Sequence, residues 1–226
     1  MKRIAFVASV SLAVLAGCGN GTPINGSSDM AGATPRPDGG NAPTCGPGIY
    51  PCGPYGVVIG QTIDNLKLLG QKDDNMNGTP TDDPVRPIQL SDYYQDPKVK
   101  VLAILVAAEW CVPCQMEQPE LITSWKNYQA KNAGVAYLEA IIEDRNHAPA
   151  DMTTVDRWAN HMWGMPPQLI PFDMAADPNV VLGPYYNIAA FPMQMVITTK
   201  DMQIQWQNNG YSPGALETQI DSLLAN

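Results

Sequence analysis

The pattern of apolar and polar positions predicts buried strands that alternate with amphipathic helices. Val99–Ala108 is an almost unbroken apolar run with β-branched residues, which is typical of a central parallel strand covered on both faces. From Pro113 to about Lys131 the large apolar residues recur at helical spacing. Val135–Ile142 then predicts a second buried strand.

The alternation continues after a long connection. Residues 143–190 are longer than a simple crossover needs, and we expect a helix around Thr153–Met162 and a short strand near Phe172 within them. Two further strands are predicted, at Met193–Thr198 and at Gln203–Trp206.

Two segments complete the pattern. Val57–Leu69 contains short apolar runs between glycines and predicts a strand or a hairpin. Ser212 as N-cap and Pro213 at the first helical position predict a closing helix. The whole order indicates an α/β fold, in which a central sheet has helices on both faces.

The N-terminal segment has the pattern of a processing signal. Lys2 and Arg3 precede the apolar run Ile4–Ala16. As a helix this run rises only about 20 Å, which is too short for the ~30 Å hydrocarbon core of a bilayer. We therefore interpret residues 1–17 as a signal peptide.

The end of this segment, Leu15–Cys18, resembles the lipobox of bacterial lipoproteins. The resemblance implies a lipid on Cys18 and a cell-envelope protein that is lipid-anchored and faces the periplasm. An ordinary signal with a chance cysteine is the alternative. Residues 18–43 are rich in Gly, Ser, Pro and Asn and predict a flexible tether, which leaves residues 44–226 as the folded domain.

Charge and cysteine content narrow the class of protein further. The formal net charge is −9 with no cluster of Lys and Arg, which excludes a nucleic-acid partner. If Cys18 carries lipid, an even number of cysteines remains, as is typical of an oxidising compartment. We interpret Cys45 and Cys52 as a structural disulfide, with a second redox pair as the alternative.

Metal sites have weak support in the sequence. Asp73–Gly78 matches the first half of an EF-hand calcium loop, but Pro84 stands where a bidentate Glu is required. An ordinary Asn-Gly turn is therefore the default interpretation. A zinc site would need a second ligand pair that the sequence lacks. We expect no metal and no cofactor other than a redox-active cysteine pair, and copper is a weaker alternative.

The strongest chemical signal is the C-x-x-C sequence of Cys111 and Cys114, where a buried strand ends and a helix begins. A cysteine at a helix N-terminus faces free N–H groups and the positive end of the helix dipole, which stabilise a thiolate. Its partner lies one helical turn away and can close a disulfide. The pair therefore indicates thiol–disulfide exchange.

The surrounding residues resemble the thioredoxin superfamily. Trp110 precedes the C-x-x-C, and Glu117 and Pro119 follow it at the spacing of that family. Ile88–Tyr93 and Tyr186–Pro192 are similar to the membrane-anchored TlpA/ResA-type branch. The resemblance implies a thioredoxin-like fold, whose central mixed sheet is flanked by helices. It also implies an N-terminal extension and an insertion before the strand that follows a cis-proline.

The resemblance also implies a role for each matching residue. Cys111 would be the attacking thiolate and Cys114 the resolving thiol. Trp110, Phe191 and Pro192 would contact the substrate. The implied activity is exchange with disulfides or thiols of exported proteins. The protein would act as a reductant rather than as an oxidant, and a membrane electron-transfer partner would reduce its cysteine pair again.

One position departs from the resemblance. Thioredoxin has a buried Asp six residues before its first active-site cysteine, where this chain has Leu105. Glu117 is the favoured catalytic substitute as proton acceptor, because helical spacing places it one turn beyond Cys114. Glu109 is the weaker candidate, and both carboxylates could instead be solvated.

Three alternatives stay open. The same pair could donate disulfides as an oxidant. The protein could instead be a metal chaperone or a redox-silent scaffold, and full burial of Cys111 would favour the scaffold. A peroxidase would need the motif P-x-x-x-[ST]-x-x-C, which does not precede Cys111.

Overall fold

The structure is a computed structural model, and it describes residues 45, 49–75, 77–160, 169–187 and 189–225. The predicted signal peptide, the predicted lipid-bearing Cys18 and the predicted tether lie outside the described residues. Within the described ranges no helix is both long and apolar enough to cross a membrane.

In the part of the chain that the structure describes, seven strands form one mixed sheet. They are β1 (Lys67–Gln71), β2 (Arg86–Gln89), β3 (Val101–Ala107), β4 (Val135–Ile141), β5 (Asp173–Ala176), β6 (Met193–Thr198) and β7 (Gln203–Asn209). Their order across the sheet is β2-β1-β5-β4-β3-β6-β7. β3, β4 and β5 are parallel, and the other neighbours are antiparallel.

Three α-helices within the described residues pack on this sheet. They are α1 (Val112–Ala130), α2 (Met152–Asn160) and α3 (Ala215–Leu224). α1 follows β3 directly, so the C-x-x-C lies at the end of the central strand. All seven residues of β3 are buried, as the apolar run predicts for a strand covered on both faces.

The side-chain contacts of Glu139 show which face the helices cover. Gln118 on α1 and Trp158 on α2 both donate hydrogen bonds to Glu139, so both helices lie on the face towards which this side chain points. Tyr128 on α1 contacts Asp221 on α3, which places α3 beside α1.

The opposite face is covered differently. Asp173 pairs with Leu138, the residue before Glu139, and therefore points away from the α-helices. The hydroxyl of Tyr93, which follows the 3₁₀ turn Leu90–Asp92, donates a hydrogen bond to Asp173. A 3₁₀ segment rather than an α-helix thus meets the sheet here.

β7 extends three residues beyond its predicted end at Trp206, and two boundaries at the ends of the domain are also wrong. The closing helix has Gly214 as its N-cap rather than Ser212, because Ser212 O accepts the Ala215 N–H in a preceding turn. Gly214 has φ 72°, a conformation that glycine adopts without strain. At the other end of the domain, Val57–Ile59 form an exposed turn and β1 begins only at Lys67.

Candidate functional site

A disulfide joins Cys111 and Cys114 at the junction of β3 and α1. The Cα–Cα distance is 5.3 Å, and Cys111 is the N-cap residue of α1. The backbone N–H of Cys114 donates to the Cys111 sulfur at 3.2 Å. Because the first N–H groups of a helix have no intrahelical acceptor, this contact satisfies one of them and directs positive partial charge at the Cys111 sulfur.

The disulfide is covered, and its rim is apolar. Cys111 is 2% exposed and Cys114 is fully buried. Next to them Val112 and Met116 are 60% and 61% exposed, although both are apolar. These two residues are four apart in sequence and therefore adjacent on the surface of α1.

Aromatic side chains form a second part of the rim. The rings of Trp110 and Phe191 meet edge to face at 6.0 Å, and both residues are half-buried. Trp110 Nε1 donates to Glu143 at 2.7 Å, and its ring lies 4.8 Å from that of His147. The structure thus brings together Trp110 and Phe191, two of the three predicted substrate contacts.

The third predicted contact, Pro192, is buried and begins the segment that leads into β6. The Phe191–Pro192 peptide bond is cis, as the resemblance implies. The carbonyl of Pro192 accepts the N–H of Gly210, which attaches this segment to the end of β7.

Glu109 is neither solvated nor a suitable proton acceptor. Its buried carboxylate accepts hydrogen bonds from the guanidinium groups of Arg145 and Arg157, at distances from 2.5 to 3.2 Å. The hydrogen bonds from these arginines lower the pKa of Glu109 to about 2. Since a carboxylate with so low a pKa stays ionised, Glu109 does not fit the role of a base at neutral pH.

Glu117 lies in a different environment. It is 2% exposed, and its carboxylate accepts a hydrogen bond from Gln194 Nε2 on β6. Burial, together with the nearby Glu139, raises the pKa of Glu117 to about 8. A carboxyl with this pKa is suited to exchanging a proton near neutral pH. Cys114 lies one turn before it, on the same buried face of α1.

The comparison with known families decides the class of protein. The sequence profile of the AhpC/TSA family matches residues 59–206, which is more than half of the chain. The chain belongs to the AhpC/TSA family. It is an oxidoreductase of the thioredoxin-like redoxin class. No curated protein gives a significant match to the sequence of this redoxin.

Solved structures share its fold. The thiol:disulfide interchange protein DsbE from Chlorobium tepidum aligns at TM-score 0.55 and 20% identity, over 75% of this chain and 99% of that chain. A secreted thiol-disulfide isomerase from Corynebacterium glutamicum aligns at TM-score 0.54 and 13% identity, over 74% of this chain and 86% of that chain. An exposed lipoprotein thioredoxin from Streptococcus pneumoniae aligns at TM-score 0.50 and 16% identity, over 70% of this chain and 99% of that chain. These similarities establish the thioredoxin-like fold.

One buried carboxyl of this redoxin was not predicted as part of the site. Glu139 on β4 is 1% exposed and accepts hydrogen bonds from Gln118 at 2.5 Å and from Trp158 at 3.0 Å. Burial raises the pKa of Glu139 to about 7. A signal was present, because a lone Glu inside an apolar strand must find polar partners when it is buried.

The second cysteine pair lies at the start of the described domain. A disulfide joins Cys45 and Cys52, both of which are exposed. Nearby Tyr50 is buried, and its hydroxyl donates to the carbonyl of Ile63 at 3.0 Å. The disulfide loop is therefore attached to the domain through Tyr50.

The segment resembling a calcium loop forms a turn. The carboxylate of Asp73 accepts the backbone N–H groups of Asn77 and Gly78 at 2.9 and 2.8 Å. Such side-chain-to-backbone bonds are typical of Asx turns. Among the residues that the structure describes, no group of three or more His, Cys, Asp and Glu is arranged to hold a metal ion.

Proposed function

We propose that this redoxin reduces disulfides of exported proteins through Cys111 and Cys114. The Cys111 thiolate attacks a substrate disulfide, forms a mixed disulfide and releases one substrate thiolate. Cys114 then attacks Cys111, which releases the second substrate thiolate and leaves the Cys111–Cys114 disulfide. The two electrons come from the dithiol, and a membrane electron-transfer partner restores it.

The observation that carries the proposal is the position of the pair at the strand–helix junction. Cys111 is the N-cap residue of a 19-residue helix, where the N–H of Cys114 already donates to its sulfur. Both the helix dipole and this N–H stabilise negative charge on Cys111. Cys111 is thus suited to be the nucleophile, and Cys114, deeper in the domain, to be the resolving thiol.

The charges near Cys114 support reduction rather than oxidation. A strong oxidant has a stabilised reduced form, which commonly means a stabilised thiolate. Here the group one turn beyond Cys114 is Glu117, a carboxyl that supplies no positive charge and that disfavours a thiolate whenever it is ionised. The two arginines near the site are bound to Glu109, and Arg157 also interacts with Asp144 and Asp151, so carboxylates offset their positive charge.

Export is supported from two sides. The predicted lipobox at Cys18 and the even number of remaining cysteines both favour an oxidising compartment. A secreted isomerase and an exposed lipoprotein are among the proteins of similar structure. We therefore propose a lipid-anchored protein that faces the periplasm.

A second candidate function has one observation in its favour. Cys111 is 2% exposed in the disulfide form, and burial of this sulfur favours a redox-silent scaffold. Exchange requires that a substrate reaches the Cys111 sulfur. The apolar side chains around this sulfur must therefore move. Trp110 and Phe191 are only half-buried, which makes their rings the candidates for this movement.

The decisive measurement is the reduction potential of the Cys111–Cys114 pair in the full chain, by titration with reduced and oxidised glutathione. We expect a potential near or below the ~−270 mV of thioredoxin. A value near the ~−120 mV of DsbA would instead identify a disulfide donor.

Two variants serve as controls for this titration. Cys111→Ser should abolish exchange with glutathione, whereas Cys114→Ser should exchange once and retain glutathione as a stable mixed disulfide on Cys111. If the wild-type pair does not exchange with glutathione at any ratio, the proposal is wrong and the scaffold replaces it.

A further inference from the structure

Three paired residues form a row across β6, β3 and β4, and two of the three are polar. Leu105 on β3 pairs with Gln194 on β6 and with Glu139 on β4. Paired residues of neighbouring strands point to the same face of a sheet, so all three face α1. From α1, Glu117 contacts Gln194 and Gln118 contacts Glu139. Two buried carboxyls, each bound to the amide of a glutamine, therefore lie on the same face of the sheet.

The amides leave hydrogen-bonding capacity unused. The Oε1 atoms of Gln118 and Gln194 are buried and have no donor, although each Nε2 donates to a carboxylate. Buried acceptors are normally satisfied. A proton on either carboxyl would supply the missing donor, because an amide can turn over and present its oxygen instead of its nitrogen. Each of the two carboxyls can therefore take up a proton and donate it to the neighbouring glutamine oxygen.

We propose that Glu139 is a positioning residue that controls how strongly Glu117 holds a proton during resolution by Cys114. The inference rests on the proposed exchange at Cys111 and Cys114. Glu139 does not touch the reacting sulfur atoms and acts through Glu117. Two carboxylates in one buried region repel each other, so ionisation of one makes the other hold its proton more strongly.

The resolving step shows where this proton goes. The Cys114 S–H gives its proton to the Glu117 carboxylate, and the Cys114 sulfur bonds to the Cys111 sulfur. The bond between Cys111 and the substrate sulfur breaks, and its electron pair leaves with the substrate thiolate. A Glu117 that is already protonated cannot accept the proton, so the state of Glu139 sets the pH at which resolution is fast.

The other groups that face the two carboxyls add negative charge or none. Glu120 on α1 and Glu217 on α3 raise the pKa of Glu117, as Glu139 does. From α2, Glu139 meets the neutral indole of Trp158. From β3 and β6 the row meets Leu105 and Gln194, neither of which titrates. Of these charged groups, Glu139 has the largest effect on the pKa of Glu117.

The variant Glu139→Gln tests the inference with little disturbance. Gln has the same shape, its oxygen can accept from Trp158, and its amide can donate to the unused oxygen of Gln118. Burial is therefore maintained and only the charge is lost. Because removal of a like charge lowers the pKa of the remaining carboxyl, the Glu117 transition should move down by ~1 pH unit.

The experiment follows resolution in the full chain. Reduced protein is mixed with oxidised glutathione, and release of the second glutathione is timed by acid quench and mass spectrometry between pH 5 and pH 10. In wild type the rate should rise over a broad range around pH 7–8, where the two carboxyls titrate. In Glu139→Gln it should rise in a single step at lower pH, and in Glu117→Gln this rise should be lost.

A matched control is Asp173→Asn. Asp173 is also buried with a raised pKa, about 6, but it contacts Tyr93 on the opposite face of the sheet. This variant should leave the midpoint of the rate profile unchanged. A merely structural role of Glu139 would alter the rate at all pH values without moving the midpoint.

The outcomes separate the two proposals. If Glu139→Gln keeps the wild-type midpoint while Glu117→Gln loses the rise, the inference about Glu139 is wrong and the proposed function stands. If Glu117→Gln keeps the rise, the inference fails because Glu139 has nothing through which to act. If wild type does not exchange with glutathione at all, both proposals fail together.

Discussion

At the scale of single residues, the partners of a buried carboxyl decide its protonation state. Glu109 and Glu117 are both almost fully buried. Two guanidinium groups hold Glu109 ionised, whereas Glu117 meets a neutral amide and has a raised pKa. The first carboxylate fixes the loop before the disulfide, and the second remains free to exchange a proton.

The ionised state of Glu109 leads to a prediction on stability. Its pKa is lowered from an ordinary value near 4.5 to about 2, so it stabilises the fold above pH 4.5 and loses this contribution as the pH falls towards 2. Glu109→Gln should therefore lower the free energy of unfolding at pH 7 by about 2 kcal/mol, less than for a fully buried pair because both arginines reach solvent.

Urea unfolding of both proteins at pH 7 and pH 3 checks this prediction. The difference between Glu109→Gln and wild type should shrink at pH 3, because Glu109 of the unfolded chain is then mostly protonated and must lose this proton on folding. Asp156→Asn is the control, since Asp156 is exposed on α2 and should leave the stability unchanged. An equal difference at both pH values would show that charge is not the cause.

At the scale of elements, the first turn of α1 combines two roles. Its buried face carries Cys114, and its exposed face carries Val112 and Met116. Apolar side chains at such exposure next to a redox pair are suited to contact a protein substrate. A small thiol such as glutathione does not need this surface.

Met116→Ala should therefore separate protein substrates from glutathione. We expect the rate with a disulfide-bonded protein substrate to fall about three- to tenfold, since loss of one apolar contact at an interface costs ~1 kcal/mol. The rate with glutathione should stay within error. Lys126→Ala, on an exposed position further along the same helix, is the control. A parallel loss with both substrates would place Met116 in the chemistry rather than in docking.

At the scale of the whole molecule, the N-terminal segment of the domain is attached at several points. Gly60 donates its N–H to the carbonyl of Ile204 on β7, and Ile63 donates to the carbonyl of Met202. The Cys45–Cys52 disulfide closes a short loop before this segment. We expect this disulfide to stabilise the domain and not to exchange electrons with substrates.

The double variant Cys45→Ser, Cys52→Ser tests this expectation. A short loop predicts a loss of about 2 kcal/mol in the free energy of unfolding. The potential of Cys111–Cys114 and the exchange rate with glutathione should be unchanged. If turnover with a protein substrate falls while stability does not, this disulfide is a second redox pair instead.

The sequence alone predicted much of the fold, because strands and helices leave local patterns. The apolar run before Cys111 predicted β3, and the helical spacing after it predicted α1. β6 begins and ends at the predicted residues, Met193 and Thr198. The start of α3 was predicted two residues early, because a capping signal at Ser212 was overridden by a turn that needs Gly214.

The environment of the site was decided by the tertiary structure. Cys111 and Cys114 are close in sequence, so their spacing indicated a disulfide. Glu109, by contrast, meets Arg145 and Arg157, which are 36 and 48 residues away. Whether a carboxyl is ionised depends on such distant partners and on burial, and neither can be read from neighbours along the chain.

The buried proton acceptor also shows which features the sequence determines and which the tertiary structure decides. The sequence by itself determined that Leu105 cannot accept a proton and that Glu117 follows Cys114 at helical spacing. Only the tertiary structure placed Glu139 and Gln194 on either side of Leu105, because strand register aligns residues that are far apart in the chain. Local periodicity therefore determined the elements, and long-range pairing decided the chemistry between them.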